Sequence, residues 1–233
     1  MAVPAVRSEE RRRGFEALKT RLGAGAQLPS IVLDGTVSSA IPELDRLLGG
    51  GFPAGAVTTL EGATGRWSVA AGLAAGMARR SLVAIIDDGS LYPPGLAEAG
   101  VCLERVLVVP ARTALHVVRA VDILLRSRIC RLVLMPAIAL RDAMWTRLAT
   151  LAHRSGALLI VIASQAGAAL SAVAELRLHC ALERFAVHGS QGLWGTPAGF
   201  ELSIGVRKHK RMAPGRSTHV RVGCEGTRDV ALR

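Results

Sequence analysis

The chain has 233 residues, 50% of them hydrophobic, which suits one larger α/β domain and excludes global disorder. No apolar run approaches the roughly 18 residues of a membrane helix, and Arg11, Arg12 and Arg13 are followed by no apolar stretch, so no membrane association is expected and the expected compartment is the cytoplasm. The net charge of +11 attracts polyanions, but aromatic residues make up only 3%, too few for a base-stacking platform, so any DNA contact is expected to rest on phosphates and to be salt-sensitive.

In chain order, Ser8 to Leu22 reads as a helix: Ser8 caps it, Glu9 and Glu10 suit its positive end, and Phe15, Leu18 and Leu22 recur at helical spacing. Gly23 to Ser30 is a linker and Ile31 to Leu33 a short strand, which together make an N-terminal arm over residues 1–36 ahead of a body over 37–233. In the body, Ser39 to Leu48 is helical and ends at Gly49, Gly50 and Gly51. Strands at Ala56–Leu60, Leu82–Ile86, Val106–Val109, Leu132–Met135 and Leu158–Ile162 then alternate with helices at Trp67–Arg80, Pro94–Ala99, Ala114–Arg126 and Ala143–Arg154. Such alternation predicts a mostly parallel, twisted sheet with helices on both faces. After Ala174 the pattern changes, and Leu176–Leu182, Gly199–Val206 and Thr218–Val222 read as consecutive antiparallel strands.

Cys102, Cys130, Cys180 and Cys224 form no C-x-x-C pair and stand at no metal-ligand spacing, which reads as reduced thiols and no metal site. His116, His153, His179, His188, His209 and His219 are scattered, so no catalytic Ser/His/Asp set can be placed. Trp145 shares a helical stripe with Leu148 and Leu151 and is expected in the core, whereas Trp194 between Gly192 and Gly195 reads as a loop anchor or a cap on the sheet.

The segment Val37 to Ala71 carries more specific information. Ile41, Leu44, Asp45, Leu48, the three glycines, Pro53 and Gly55 fit an I-x-x-L-D-x-x-L-G-G-G helix followed by a P-x-G turn and a strand. This resembles the opening of the RecA recombinase core, and the strand order continues the resemblance to about residue 225. The resemblance implies a RecA-like α/β fold in which a phosphate loop follows the first strand of the core. A working loop needs glycines that let N–H groups wrap phosphates, a lysine for the terminal phosphates, and a hydroxyl for magnesium. Here the loop region is Gly62-Ala63-Thr64-Gly65-Arg66-Trp67-Ser68-Val69. Without a gap, Trp67, Ser68 and Val69 replace the second glycine, the lysine and the hydroxyl residue; with a gap, Gly65 and Arg66 take the glycine and lysine places. Gly62, Gly65, Arg66 and Ser68 are therefore a degenerate phosphate-loop set that supplies no lysine in either register.

Two further positions agree. The family's I-D-x-E strand end reads Ile86-Asp87-Asp88-Gly89, with glycine in the glutamate place, and its magnesium-binding aspartate is Met135. These losses imply no catalytic residues, no bound ATP and no ATPase activity. The connection after Ser164 and Gln165 is only about ten residues long and carries no cation over Ala166–Ala174, which is little for a DNA-binding loop. Near the end, Val206-Arg207-Lys208-His209-Lys210-Arg211-Met212-Ala213-Pro214 resembles the V-x-K-N-K-x-x-A-P segment of the recombinases. That resemblance gives Lys208 and Lys210 the role of reaching a neighbouring subunit's nucleotide, the alternative being a solvated basic segment. Ile204 to Arg233 holds eight Lys/Arg against two Asp/Glu, so Arg207, Lys208, Lys210, Arg211 and Arg216 are the candidate DNA or phosphate patch.

A short, lysine-less RecA-like core without the recombinase C-terminal domain looks like the ImuA group. The resemblance implies an accessory role in the SOS response and error-prone translesion synthesis. The partners it implies are RecA, an ImuB-type Y-family-like polymerase and an error-prone replicative-type polymerase, with DNA contact through the basic C-terminal segment. Two alternatives stand beside it: a weak DNA-dependent ATPase using Arg66 and Asp88, and a SulA-like cell-division inhibitor.

Overall fold

The computed structural model describes residues 35–188 and 196–223. The predicted arm at Ser8–Leu33, Trp194, Cys224 and the last basic residues lie outside them. The elements run β1 (Thr36–Val37), α1 (Pro42–Leu47), β2 (Phe52–Pro53), β3 (Val57–Glu61), α2 (Arg66–Ala78), β4 (Leu82–Asp87), α3 (Pro93–Glu98), β5 (Val106–Pro110), α4 (Ala114–Ser127), β6 (Cys130–Pro136), α5 (Asp142–Ser155), β7 (Leu158–Ile162), α6 (Ala168–Val173), β8 (Leu176–His188), β9 (Thr196–His209) and β10 (Ser217–Gly223). Strands β1 and β2 form a small antiparallel pair. The other eight strands form one sheet in the order β10-β9-β8-β3-β7-β6-β4-β5. The pairs from β8 through β3, β7, β6 and β4 to β5 are parallel, and β8-β9 and β9-β10 are antiparallel. The fold is thus the expected α/β class: a mostly parallel sheet flanked by helices and finished by antiparallel strands.

Continuous apolar runs make the parallel half. Every residue of β7, Leu-Leu-Ile-Val-Ile, is buried, because both faces of this strand meet helices. On one face Leu60, Ile160 and Leu134 pack with Leu44 and Leu47 of α1 and Leu73 and Met77 of α2. On the other, Leu159, Val161 and Met135 pack with Val121 of α4, Trp145 and Leu148 of α5, and Leu170 of α6. Trp145 is buried in this second layer, as its helical stripe predicts. The antiparallel strands instead alternate. Leu176, Leu178 and Cys180 of β8 are buried against the first layer, while Arg177 and His179 between them are only half-buried.

One boundary differs from the sequence reading. The helix expected over Ser39–Leu48 is confined to Pro42–Leu47. Pro42 excludes its predecessor from helical conformation, and Ile41 is extended at φ −111° and ψ 100°. The residues before it are held by Asp45, whose carboxylate accepts from the Ser38 hydroxyl at 2.6 Å, the Ser39 hydroxyl at 2.7 Å and the Ser39 N–H at 2.8 Å. The aspartate of the family-like pattern therefore fixes the entry to α1.

Candidate functional site

The loop between β3 and α2 sits where a nucleotide-binding α/β protein places its phosphates, at the carboxyl end of a central parallel strand. The left-handed conformation at the start of α2 falls on Gly65, at φ 81°, and the helix begins at Arg66. Gly65 is thus the second turn glycine, and Trp67 lies within α2, packed against the first core layer. Only Ala63 and Thr64 separate the two glycines, where a working phosphate loop has four residues.

The loop is closed on itself. Arg66 Nη1 donates to the carbonyl of Gly62 and, at 2.8 Å, to that of Ala63. An anion cradle turns N–H groups inward, whereas two carbonyls of this loop accept from the loop's own cation. Gly62, at φ 119°, lies so close to the Cys180 carbonyl of β8 that a Cβ there would collide with it. A Cβ on Gly65 would come within 2.5 Å of the Leu202 side chain. Ser68 is half-buried within α2. The four residues Gly62, Gly65, Arg66 and Ser68 are therefore brought together, but around a guanidinium and a strand rather than around open space.

The other degenerate positions have structural partners. Asp87 accepts from the N–H groups of Gly89 at 2.8 Å and Leu91 at 3.0 Å, and Asp88 from the Ser90 hydroxyl at 2.6 Å, so both carboxylates shape the turn after β4. Met135 is wholly buried in the second core layer. Burial pushes the thiols of Cys130 and Cys180 up to about 12, which makes both poor nucleophiles.

Immediately beside this loop, a second arrangement was not foreseen. Glu61, the last residue of β3, is a buried carboxylate. Arg177 of β8 binds it through Nε at 2.8 Å and Nη2 at 2.9 Å. The Thr59 hydroxyl, at 2.7 Å, and the Ala166 N–H, at 3.3 Å, supply two more donors. Burial works to raise the Glu61 pKa, but the bond to Arg177 and the other donors outweigh it and hold the carboxyl below its ordinary value. The pair pins β3, β8 and the segment after β7 together.

Above the pair lies an open cavity of about 360 Å³, lined by Glu61, Ser164, Gln165, Arg177, His179 and Arg207. Ser164 and Gln165 follow the end of β7, and Arg177 and His179 share one face of β8 by alternation. Arg207 arrives by a bulge: Arg177 pairs with Lys208 and Leu178 with Val206, so Arg207 is the extra residue of β9. The short connection after Gln165 contains α6, whose end is held by Lys208, which donates from Nζ to the carbonyls of Ser171 at 2.7 Å and Ala172 at 3.1 Å. Burial, and then the charges of Lys210 and Arg177, lower the Lys208 pKa.

The five cations of the expected patch therefore have different surroundings. Arg207 faces the cavity, Lys208 caps α6, and Lys210 lies 3.5 Å from Glu175 with half its side chain exposed. Arg211 and Arg216 are exposed around the β9–β10 turn. Among the described residues, no three His, Cys, Asp or Glu side chains form a metal-binding group, and no helix is long and apolar enough to cross a membrane. Sequence reading missed Glu61, Arg177 and His179 as one site. The available signals were a lone carboxylate closing Val-Thr-Thr-Leu-Glu and the alternation in Leu-Arg-Leu-His-Cys.

The crystal structure of the RadB recombinase matches with a TM-score of 0.65 and 19% identity over 82% of this chain and 98% of that one. The shared fold is thus that of a RecA-family recombinase. No curated protein matches the sequence. The family model for the MT3502 N-terminal domain matches residues 45–168, from within α1 to the first residue of α6 and more than half of the chain. The chain, a RecA-like α/β core with a self-closed loop after β3, belongs to the MT3502 N-terminal domain family.

Proposed function

We propose that this protein is a non-hydrolysing, RecA-like accessory factor of the SOS response that acts in the cytoplasm by binding other proteins of error-prone DNA damage tolerance. One observation carries the reading: Arg66 occupies the loop after β3, donating to the carbonyls of Gly62 and Ala63, in a loop with no lysine. Phosphoryl transfer depends on positioning and charge neutralisation by that loop and by a magnesium site. Met135 and Gly89 supply neither the metal carboxylate nor the water-activating one. ATP and magnesium do not fit these residues, and no catalytic step is assigned to them.

The pathway and partners rest on the resemblance to the ImuA group. RecA, an ImuB-type polymerase and an error-prone replicative-type polymerase are the proposed partners, and the basic end of the chain is the proposed contact to DNA. Lys208 and Lys210 are the proposed contact to a recombinase neighbour. Lys208 is held on α6 and would have to leave its carbonyls, so Lys210, more exposed and only loosely paired, is the readier of the two.

The test combines two measurements. Titration calorimetry with ATP and magnesium is expected to show no binding, and micromolar binding with turnover would overturn the non-hydrolysing reading. The chain mixed with RecA, ATP and single-stranded DNA is expected to form a complex and to change strand exchange. Lys210→Glu is expected to weaken that complex, and the absence of any link to RecA or the polymerases would end the adapter reading.

A further inference from the structure

We propose that the cavity beside the β3 end is a binding site for a phosphate group. The inference goes beyond the accessory role and does not depend on it. Four polar side chains converge there without satisfying one another: among the described residues, Ser164, Gln165, His179 and Arg207 make no side-chain hydrogen bond or ion pair, although all four line the cavity. Arg177 adds a donor held in place. Its Nε and Nη2 are bound to Glu61, which leaves Nη1 without a partner among the described residues.

The chemistry favours an oxyanion over the other classes of ligand. A metal ion would need acceptors, and Glu61 has none to spare: Oε1 takes Thr59 and Arg177 Nε, and Oε2 takes Ala166 N–H and Arg177 Nη2. An apolar ligand would need an apolar lining, and all six lining residues are polar. Since Glu61 neutralises Arg177, the charge of Arg207 is uncompensated and sets the sign of the site. The donors come from three separate segments, the end of β7, β8 and the bulge on β9, and not from one planar fork. That arrangement suits the tetrahedral oxygens of a phosphate better than a flat carboxylate. The β-bulge is the enabling feature, since it puts Arg207 out of register with its partner strand and lets it line the same cavity as Arg177 and His179.

The phosphate is either a terminal monoester or a phosphodiester of single-stranded DNA, and the experiment separates them. The full chain, isotopically labelled, is titrated at low ionic strength with inorganic phosphate, thymidine monophosphate and an oligothymidylate, following the amide resonances of Gln165, His179 and Arg207. Saturable shifts at these amides are expected. Arg207→Ala, at an exposed position that should not disturb folding, is expected to weaken binding roughly tenfold or more, the loss typical of one charged hydrogen-bond donor. Arg119→Ala, an exposed cation on α4 outside both the cavity and the basic C-terminal segment, is expected to leave it within about twofold, as for a distant screened charge. Tighter binding of thymidine monophosphate assigns a terminal phosphate, and tighter binding of the oligothymidylate assigns the diester. Failure of all three probes to give saturable shifts, or equal losses in the two arginine variants, would overturn the proposal.

Discussion

The two sides of the β3 end meet opposite chemistry within two residues. Gly62 turns toward β8 and the first core layer, where its carbonyl takes a guanidinium and its missing Cβ admits the Cys180 carbonyl. Glu61 turns to the other face, where its carboxylate anchors Arg177 at the edge of a cavity with unpaired donors. A strand presents successive residues to opposite faces, so one strand end serves both a closed loop and an open cup. A loop without the phosphate-loop lysine therefore says nothing about the binding chemistry on the other face of the same strand end.

The largest effect is expected on the open side. Arg177→Met strands a buried carboxylate and should destabilise the protein by about 3–5 kcal/mol in denaturant unfolding. Changing Glu61 to Leu as well should recover most of that loss, since the penalty belongs to the orphaned charge. Full recovery failing in the double variant would mean that the pair also holds β3 and β8 by geometry. The same pair sets an acid dependence. Because the folded-state pKa of Glu61 is held below its ordinary value of 4.5, its contribution is present above that value and is lost as pH falls through the lowered one. A stability–pH profile should therefore lose one acid-titrating component in Glu61→Gln.

Next in size comes the closed side. Gly62→Ala combines an unfavourable left-handed backbone with a collision against the Cys180 carbonyl, and about 2–3 kcal/mol of stability should go. Gly215→Ala is the control: its φ is 89° and no atom of the described residues lies within 4 Å of the added Cβ, so only the backbone cost, about 1 kcal/mol, should appear. Equal losses would show that the close approach of β8 to the loop is unimportant. The smallest effect is expected for Arg66→Ala, within about 1 kcal/mol. That change removes two bonds to carbonyls but also removes the buried Nε that has no partner among the described residues. A larger loss would make Arg66 a structural keystone of the loop.

Sequence legibility followed the same division. The parallel strands are short apolar runs between helical segments, and β7 falls at Leu158–Ile162 as read from its residues alone. Helix α4, expected over Ala114–Arg126, runs only one residue longer, because the Thr113 cap at its start is a local signal. The start of α1 is not legible in the same way, because Ser39, where the sequence begins the helix, instead donates its hydroxyl and N–H to Asp45. At the site, the absent lysine, glutamate and aspartate were legible, since each is a residue type at a motif position. What fills the loop instead was not, because Leu202 and Cys180 reach it from strands far along the chain.

The amino-acid sequence by itself determined the α/β class, the RecA-like order of elements and the degeneracy of the phosphate loop, because hydrophobic periodicity and motif residues are local properties of the chain. Only the tertiary structure decided that Glu61 meets Arg177 across 116 residues, that Lys208 caps α6, and that a bulge sends Arg207 into the cavity. Those outcomes depend on strand register, and register is set by how whole strands pair across a sheet, which no short stretch of residues encodes.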